Sequence, residues 1–383
     1  MTLSFLILFL IAALRYGIGT DYWFRYAPLF EQIQHGDVNG QEPGYVLLNK
    51  AVGLITDDYQ GIFVVTSFLT IALFYRFFLR MSINPALSVF IYAFGGFYLE
   101  DFNLVKQGLA IAILVNTFEF ALRKKHLAFV LATLLAASFH ASALAWFAVW
   151  PLMWIRVGRA ARIVIALAMI LAILLVPQTV SLLVEQFAPS YAWYFDSNYG
   201  ATRSIHPAVV TVALAALAFT LVKVGKAGKV GSADRFEDSV VKVPAVSAEV
   251  LVATKVGKAG SADRYADSEV KVPAVSAEVL VATKVGKAGS ADRYADSVVN
   301  VLAVSTAVLV ATTTIAYLFS RLDYYFAPAQ LVAVPLALSL VRNRLARHLL
   351  TVAFMSAYMT SFVFQFLVWN AHGVLPYDSI FSR

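Results

Sequence analysis

The feature that most constrains this chain is its apolar runs, which are long and do not alternate, as in Val130–Ala137 and Val164–Val176. A strand of a transmembrane barrel would alternate apolar and polar residues over about ten positions. The sequence is 60% hydrophobic and 14% charged, with mean hydropathy +0.73, whereas a soluble domain carries about 25% charged residues. The expected fold class is therefore all-α, a polytopic helical membrane bundle.

Basic clusters punctuate the runs: Arg76/Arg80, Arg123/Lys124/Lys125, Arg156/Arg159/Arg162 and Arg342/Arg344/Arg347. Short cytoplasmic connections collect Lys and Arg, so each cluster is placed in the cytoplasm. The spans then read approximately 2–15, 61–79, 84–99, 104–122, 127–140, 142–155, 160–178, 206–222, 301–319, 324–341 and 349–369. That makes about 11 transmembrane helices, starting inside and ending outside. Acidic residues, which played no part in this assignment, fall outside with the single exception of Glu119 when the repeat region is set apart. The stretch 127–155 has to be two short spans turning near His140. The first apolar segment, Leu3–Leu14, is short against the roughly 20 residues a span needs, and no basic region of a cleaved signal precedes it. A start upstream of Met1 fits that shortness.

The chain divides into three stretches. Residues 1–222 hold the first eight spans with two outer loops, 15–60 and 178–206. Residues 223–300 form a cytoplasmic, low-complexity loop. Residues 301–383 hold the last three spans and an outer tail. The loop repeats itself: KVGKAGSADRYADS begins at Lys255 and again at Lys284, a period of 284 − 255 = 29, with an earlier copy from Lys223. In the third copy the unit runs on into a span. The first two carry Lys242/Lys271, Pro244/Pro273 and Glu249/Glu278 where the third has Asn300, Leu302 and Ala307. A mid-membrane charge costs roughly 2.5–3.5 kcal/mol and proline breaks a helix. The extra copies are expected to stay out of the bilayer as a largely disordered loop.

This topology leaves Arg15, Arg25, Lys50, Lys106, Arg203, Arg321 and Arg383 on the outer side, against the rule that keeps basic residues inside. Positive charge held there points to an anionic ligand, and a lipid-linked phosphate is the obvious one. The net charge of +7 sits mostly in short orienting loops, so it argues for no nucleic-acid partner. The absence of cysteine excludes disulfides and thiolate chemistry. No metal or other cofactor is expected.

Candidate chemistry gathers at the same face. Arg15-Tyr-Gly-Ile-Gly-Thr-Asp21-Tyr22 leaves the first span through two glycines that permit a tight turn. Glu42-Pro43-Gly44-Tyr45 opens an amphipathic stretch, where Glu42 either serves as a base or faces water. Lys106-Gln107 begins a span, and Lys106 either binds phosphate or snorkels. His140 stands at the proposed turn in Ser138-Phe139-His140-Ala141-Ser142, either hydrogen-bonded in place or functional. Arg321-Leu-Asp323-Tyr324-Tyr325-Phe326 either clamps a phosphate bidentately or pairs internally.

At these residues the sequence resembles the EpsG family of exopolysaccharide polymerases, relatives of the Wzy O-antigen polymerases. The resemblance lies in R-x-G-x-G-x-D-Y at Arg15–Tyr22, E-P-G-Y-x-L-L at Glu42–Leu48, K-Q-x-L-A at Lys106–Ala110, F-H-x-S-A-L at Phe139–Leu144, R-x-D-Y-Y-F at Arg321–Phe326 and L-P-Y at Leu375–Tyr377. It covers about 10–222 and 301–383; the repeat loop departs from the pattern. It implies a multi-pass protein of the bacterial cytoplasmic (inner) membrane that polymerises oligosaccharide units carried on polyisoprenyl diphosphate at the outer face. Its partners would be that lipid-linked substrate, membrane lipids and other polysaccharide-export proteins. In such a reaction an acceptor hydroxyl displaces the lipid diphosphate from an anomeric carbon. Asp21, Glu42 and His140 are the candidate catalytic groups; Arg15, Tyr22, Lys106, Gln107, Arg321 and Tyr325 are the candidate substrate and diphosphate ligands. Two rivals stand beside this reading: a flippase or transporter of lipid-linked oligosaccharide, and a noncatalytic component of an export complex.

Overall fold

A computed structural model describes residues 1–154, 297–298, 300–301, 324–341, 343–370 and 373–382. Among them there is no β-strand, only one isolated antiparallel bridge between Arg15 and Ser379. The helices are α1 (Thr2–Ala13), α2 (Ala27–Gln34), α3 (Pro43–Gly53), α4 (Gln60–Met81), α5 (Pro85–Phe94), α6 (Phe97–Glu100), α7 (Val105–Val115), α8 (Thr117–Leu122), α9 (His126–Phe139), α10 (Val149–Trp154), α11 (Gln330–Ser339) and α12 (Arg344–Phe362). Single turns of π-helix cover Tyr22–Tyr26 and Val363–Val368, and 3-10 helix covers Ala141–Ala148. Among the described residues, three helical stretches are long and apolar enough to cross a membrane: Gln60–Met81, Val105–Leu122 and Arg344–Val368. The proposed spans at 160–178 and 206–222, all but the first residue of the span at 301–319, the loop at 178–206 and most of the repeat lie outside the described residues.

Helix α4 organises the bundle. Its buried residues Ile62, Phe63, Thr66, Ser67, Thr70, Ile71, Phe74 and Phe78 recur every three to four positions, the spacing that keeps one face of a helix turned to its neighbours. Helix α1 lies antiparallel on it: Phe5 packs edge-on to Tyr75 with ring centroids 5.3 Å apart, Phe9 packs on Phe68 at 5.7 Å, and Tyr75 Oη donates to Ser4 Oγ at 2.9 Å. Asn116, at the α7–α8 junction, donates to the Leu73 carbonyl at 3.0 Å. Interhelical hydrogen bonds of this kind contribute roughly 0.6–2 kcal/mol in a membrane.

The far end of α4 and α8 carries two of the basic clusters. Glu119 pairs with Arg76 at 3.2 Å and with Arg123 at 2.9 Å. The one acidic residue among the basic clusters is thus the counter-ion of two of them.

The chain reverses at His140, which leaves the helix in an extended conformation (φ −155°, ψ 113°). His126 and Trp150 rings then meet at 4.4 Å, and Phe129 meets Trp150 at 4.8 Å. Residues on the two sides of the turn pair across it, so α9 and the segment after it form an antiparallel hairpin. Trp146 from the returning arm donates to Thr117 Oγ1 at 2.7 Å and so fixes the hairpin on α8. Phe326, just before α11, stacks on Trp146 of the hairpin, and Ser88 Oγ on α5 donates to the Leu331 carbonyl of α11 at 2.6 Å. Every turn described so far sends the loop between α1 and α4, the start of α7, His140 and Tyr325 to the same end of the bundle.

Candidate active site at the loop-bearing end

Proline at the first position and an extended Glu42 at the cap start α3 (φ −67°, ψ 134°), so the glutamate side chain is left free to turn away from the helix. Gly44 then lets α3 touch the end of α9: a β-carbon there would stand 2.2 Å from Ser138 Oγ and 2.9 Å from the Ser138 carbonyl oxygen. That close approach sets Glu42 against the residue after α9. Glu42 Oε1 lies 3.1 Å from His140 Nδ1, and Glu42 Oε2 accepts from Lys106 Nζ at 2.6 Å. Lys106 also donates to Gln41 Oε1 at 3.3 Å and lies 5.5 Å from the centre of the Tyr45 ring.

Three candidates separated by as many as 98 residues in sequence thus form one hydrogen-bonded cluster. Within it the Lys106 side chain is buried, while Glu42 and His140 keep partial access to solvent. Burial pushes the Glu42 carboxyl up, but hydrogen bonds from His140 and Lys106 and the lysine charge outweigh it and hold the group at about 2. An ionised carboxylate can only accept, so Nδ1 of His140 carries the proton and donates. In the neutral ring Nε2 is then the acceptor nitrogen, and it has no partner among the described residues.

The remaining candidates surround this cluster at different depths. Tyr325 exchanges a hydrogen bond of 2.8 Å with Ser142, two residues beyond His140. Gln107 is buried on α7 beside Lys106. Tyr22 is fully buried, stacked on Phe63 at 4.3 Å, with its hydroxyl donating to Gln60 at 2.7 Å. Asp21 is partly exposed. Its backbone N–H reaches Asn103 Oδ1 at 3.3 Å, and Thr20 donates to the same oxygen at 3.2 Å. Gly19 adopts φ +99°, and a β-carbon there would meet Asn103 Oδ1 at 2.7 Å; this is why the turn needs glycine at that position.

Arg15 stands apart from the Glu42 cluster. It is 2% exposed, donates to the Ala12 carbonyl at 2.6 Å and to Ser67 Oγ at 3.3 Å, and its guanidinium packs between the Phe63 and Phe102 rings. It lines a cavity of about 20 Å³ with Ser67, Tyr92, Tyr98 and Asp101, room for about one water. Burial pushes the Asp101 carboxyl up to about 7, with the Tyr92 hydroxyl (2.9 Å) and the Arg15 charge opposing. Arg321 lies outside the described residues. The residues that sequence reading did not single out are Gln41, Asn103 and Ser142. Only the glycines that face Ser138 and Asn103 gave a signal for the close packing there.

The fold and the cluster define a helical membrane protein with an acid–histidine–lysine site at one end of its bundle. The sequence matches the model of the EpsG family over residues 1–242, and the chain belongs to that family. Membership supports a glycan-polymerase type of role. The matched stretch takes in the Arg15, Glu42, Lys106 and His140 motifs; those at Arg321–Phe326 and Leu375–Tyr377 follow it. No curated protein and no solved structure matches.

Proposed function

We propose that the protein polymerises oligosaccharide units carried on polyisoprenyl diphosphate, at the outer face of the bacterial cytoplasmic membrane. The single observation that carries this reading is the Glu42 carboxylate shared between His140 Nδ1 and Lys106 Nζ. A carboxylate on one nitrogen of an imidazole fixes the tautomer and leaves the other nitrogen as a base. In the reaction, His140 Nε2 takes the proton of the acceptor hydroxyl. The acceptor oxygen forms its bond to the anomeric carbon as the bond from that carbon to the lipid diphosphate breaks. The diphosphate departs with the electron pair, and the proton rests on His140, whose new charge the Glu42 carboxylate stabilises.

Lys106 acts through Glu42, because its ammonium is buried and already neutralised by it. Asp21, partly exposed beside Asn103, is an alternative base. The leaving diphosphate calls for fixed positive charge, which is most effective where charge develops in the transition state; Arg321 and Tyr325 are the proposed contacts. The buried Arg15 contributes field, and Tyr22 and Gln107 shape the walls. The reading includes eleven crossings with the N-terminus inside and the C-terminus outside, and it needs no metal.

The test is complementation of a polymerase-deficient strain making the matching glycan, with wild type, His140→Ala and Glu42→Gln at equal membrane levels. Long polymer from wild type and single units from both variants is expected. Long polymer from His140→Ala would overturn the assignment.

A further inference from the structure

The described cations at the loop-bearing end are not equivalent. Arg15 and Lys106 are buried and committed to protein partners. Arg25 is exposed, and none of the described residues forms a hydrogen bond or ion pair with it. It sits in the π-helical turn Tyr22–Tyr26, a form enriched at functional sites. The wide turn sends Tyr22 and Tyr26 inward, at 0% and 3% exposure, and leaves Trp23, Phe24 and Arg25 in a row on the outside.

The two aromatic neighbours are unusual in the same way. Phe24 is 90% exposed. Trp23 is held edge-on between Tyr16 at 5.3 Å and Tyr59 at 5.8 Å and still leaves 44% of its surface open. In a membrane protein such residues belong at the bilayer interface, where an apolar body meets acyl chains. The turn also borders the acid–histidine–lysine cluster. The Tyr26 ring lies 6.3 Å from that of Tyr45, over which Lys106 Nζ stands at 5.5 Å.

We propose that Arg25, Phe24 and Trp23 form the docking point for the phosphate headgroup and first isoprene units of a polyisoprenyl phosphate lipid. This rests on the polymerase reading and gives that substrate its point of entry. The planar guanidinium offers paired donors that match phosphate oxygens, and the adjacent rings offer the apolar surface that a lipid tail brings with its headgroup. A bare anion would satisfy only the arginine; an uncharged isoprenoid would satisfy only the rings. The amphiphile uses both, and its headgroup then lies beside the cluster that holds His140.

The experiment is binding of farnesyl diphosphate to the full-length protein in nanodiscs of zwitterionic lipid. Arg25→Gln should weaken binding about ten- to hundredfold, since a hydrogen bond to a charged group is worth about 1.5–3 kcal/mol and each 1.4 kcal/mol is tenfold. Arg25→Lys should fall between the two, and Phe24→Ala should weaken it several-fold. Lys50→Gln, an exposed cation eight residues beyond Glu42 on α3, should change nothing. Inorganic pyrophosphate should bind far more weakly and be insensitive to Phe24→Ala. Unchanged binding by Arg25→Gln, an equal loss in Lys50→Gln, or pyrophosphate as tight as the farnesyl probe would each overturn the docking site. So would loss of farnesyl diphosphate binding when phosphatidylglycerol replaces the nanodisc lipid, because the turn would then be reading bulk lipid. His140→Ala separates the two claims. If it makes no polymer while Arg25→Gln binds normally, docking fails and catalysis stands. If it polymerises normally while Arg25→Gln binds weakly, the reverse holds.

Discussion

Gly44 and Ser138 approach so closely that a β-carbon on the glycine would sit 2.2 Å from the serine hydroxyl oxygen. The contact joins the start of α3 to the end of α9, and it is what places Glu42 against His140. Gly44→Ala is expected to force the two helices apart and open the Glu42–His140 bond. Polymer length should collapse while the protein still reaches the membrane. Adding Ser138→Ala should restore little, because the Ser138 carbonyl oxygen would still stand 2.9 Å away.

Lys106 and Glu42 are expected to couple strongly. Removing the lysine leaves a carboxylate half-buried without its cation, and breaking such a pair costs on the order of 3 kcal/mol. Lys106→Met should destabilise the protein by about that amount, and Lys106→Met with Glu42→Gln by less than the sum. A double-mutant cycle on thermal unfolding in detergent reads the coupling; simple additivity would show that the pair is not a unit.

The two perturbed carboxyls give opposite pH signatures. Glu42 is depressed to about 2, so its contribution is complete above the ordinary glutamate pKa and is lost as pH falls from about 4.3 towards 2. Glu42→Gln should therefore differ most from wild type above pH 5. Asp101 is raised to about 7, so ionising it penalises the fold increasingly as pH climbs from about 4 through 7. Asp101→Asn should stabilise the protein relative to wild type at pH 8 and much less at pH 5. Melting temperatures of the two variants across pH 4–8 check both slopes.

The helical class and the break at His140 could be read from the chain, because run length, the lack of alternation and clustered arginines are local properties. The place of Glu119 among basic clusters is likewise local, and its two arginine partners lie in those clusters. The joining of Glu42, Lys106 and His140 was legible only as a shared face. Nothing local says that residues so far apart exchange hydrogen bonds; that depends on how closely α3, α7 and α9 pack. Arg15 shows the opposite limit. Its place beside two glycines at the end of an apolar helix reads as an outer-face ligand for phosphate, and the rings that enclose it come from elsewhere in the chain, Phe63 from α4 and Phe102 from the turn before α7.

The repeat is expected to be dispensable. Removing 223–280 keeps one copy and its run into the following span, and should leave polymer length unchanged in the complementation strain. Loss of polymer with normal membrane insertion would assign the repeats a role.

The backbone around Arg15 is closed by the other end of the chain. Tyr16 N–H bonds to the Asp378 carbonyl at 3.1 Å, Ile380 N–H to the Leu14 carbonyl at 3.0 Å, and Gly19 N–H to the Gly373 carbonyl at 3.2 Å. The Tyr377 hydroxyl reaches the Ile11 carbonyl at 2.9 Å. The loop that carries Asp21 and Arg25 is therefore a shared possession of both termini. A fragment ending with the family-matched stretch would leave the N–H groups of Tyr16 and Gly19 without acceptors inside an apolar setting, a costly state. A bulky fusion at the C-terminus would pull on the same stitches, so loss of activity in a tagged protein would report on this seam before it reported on the site.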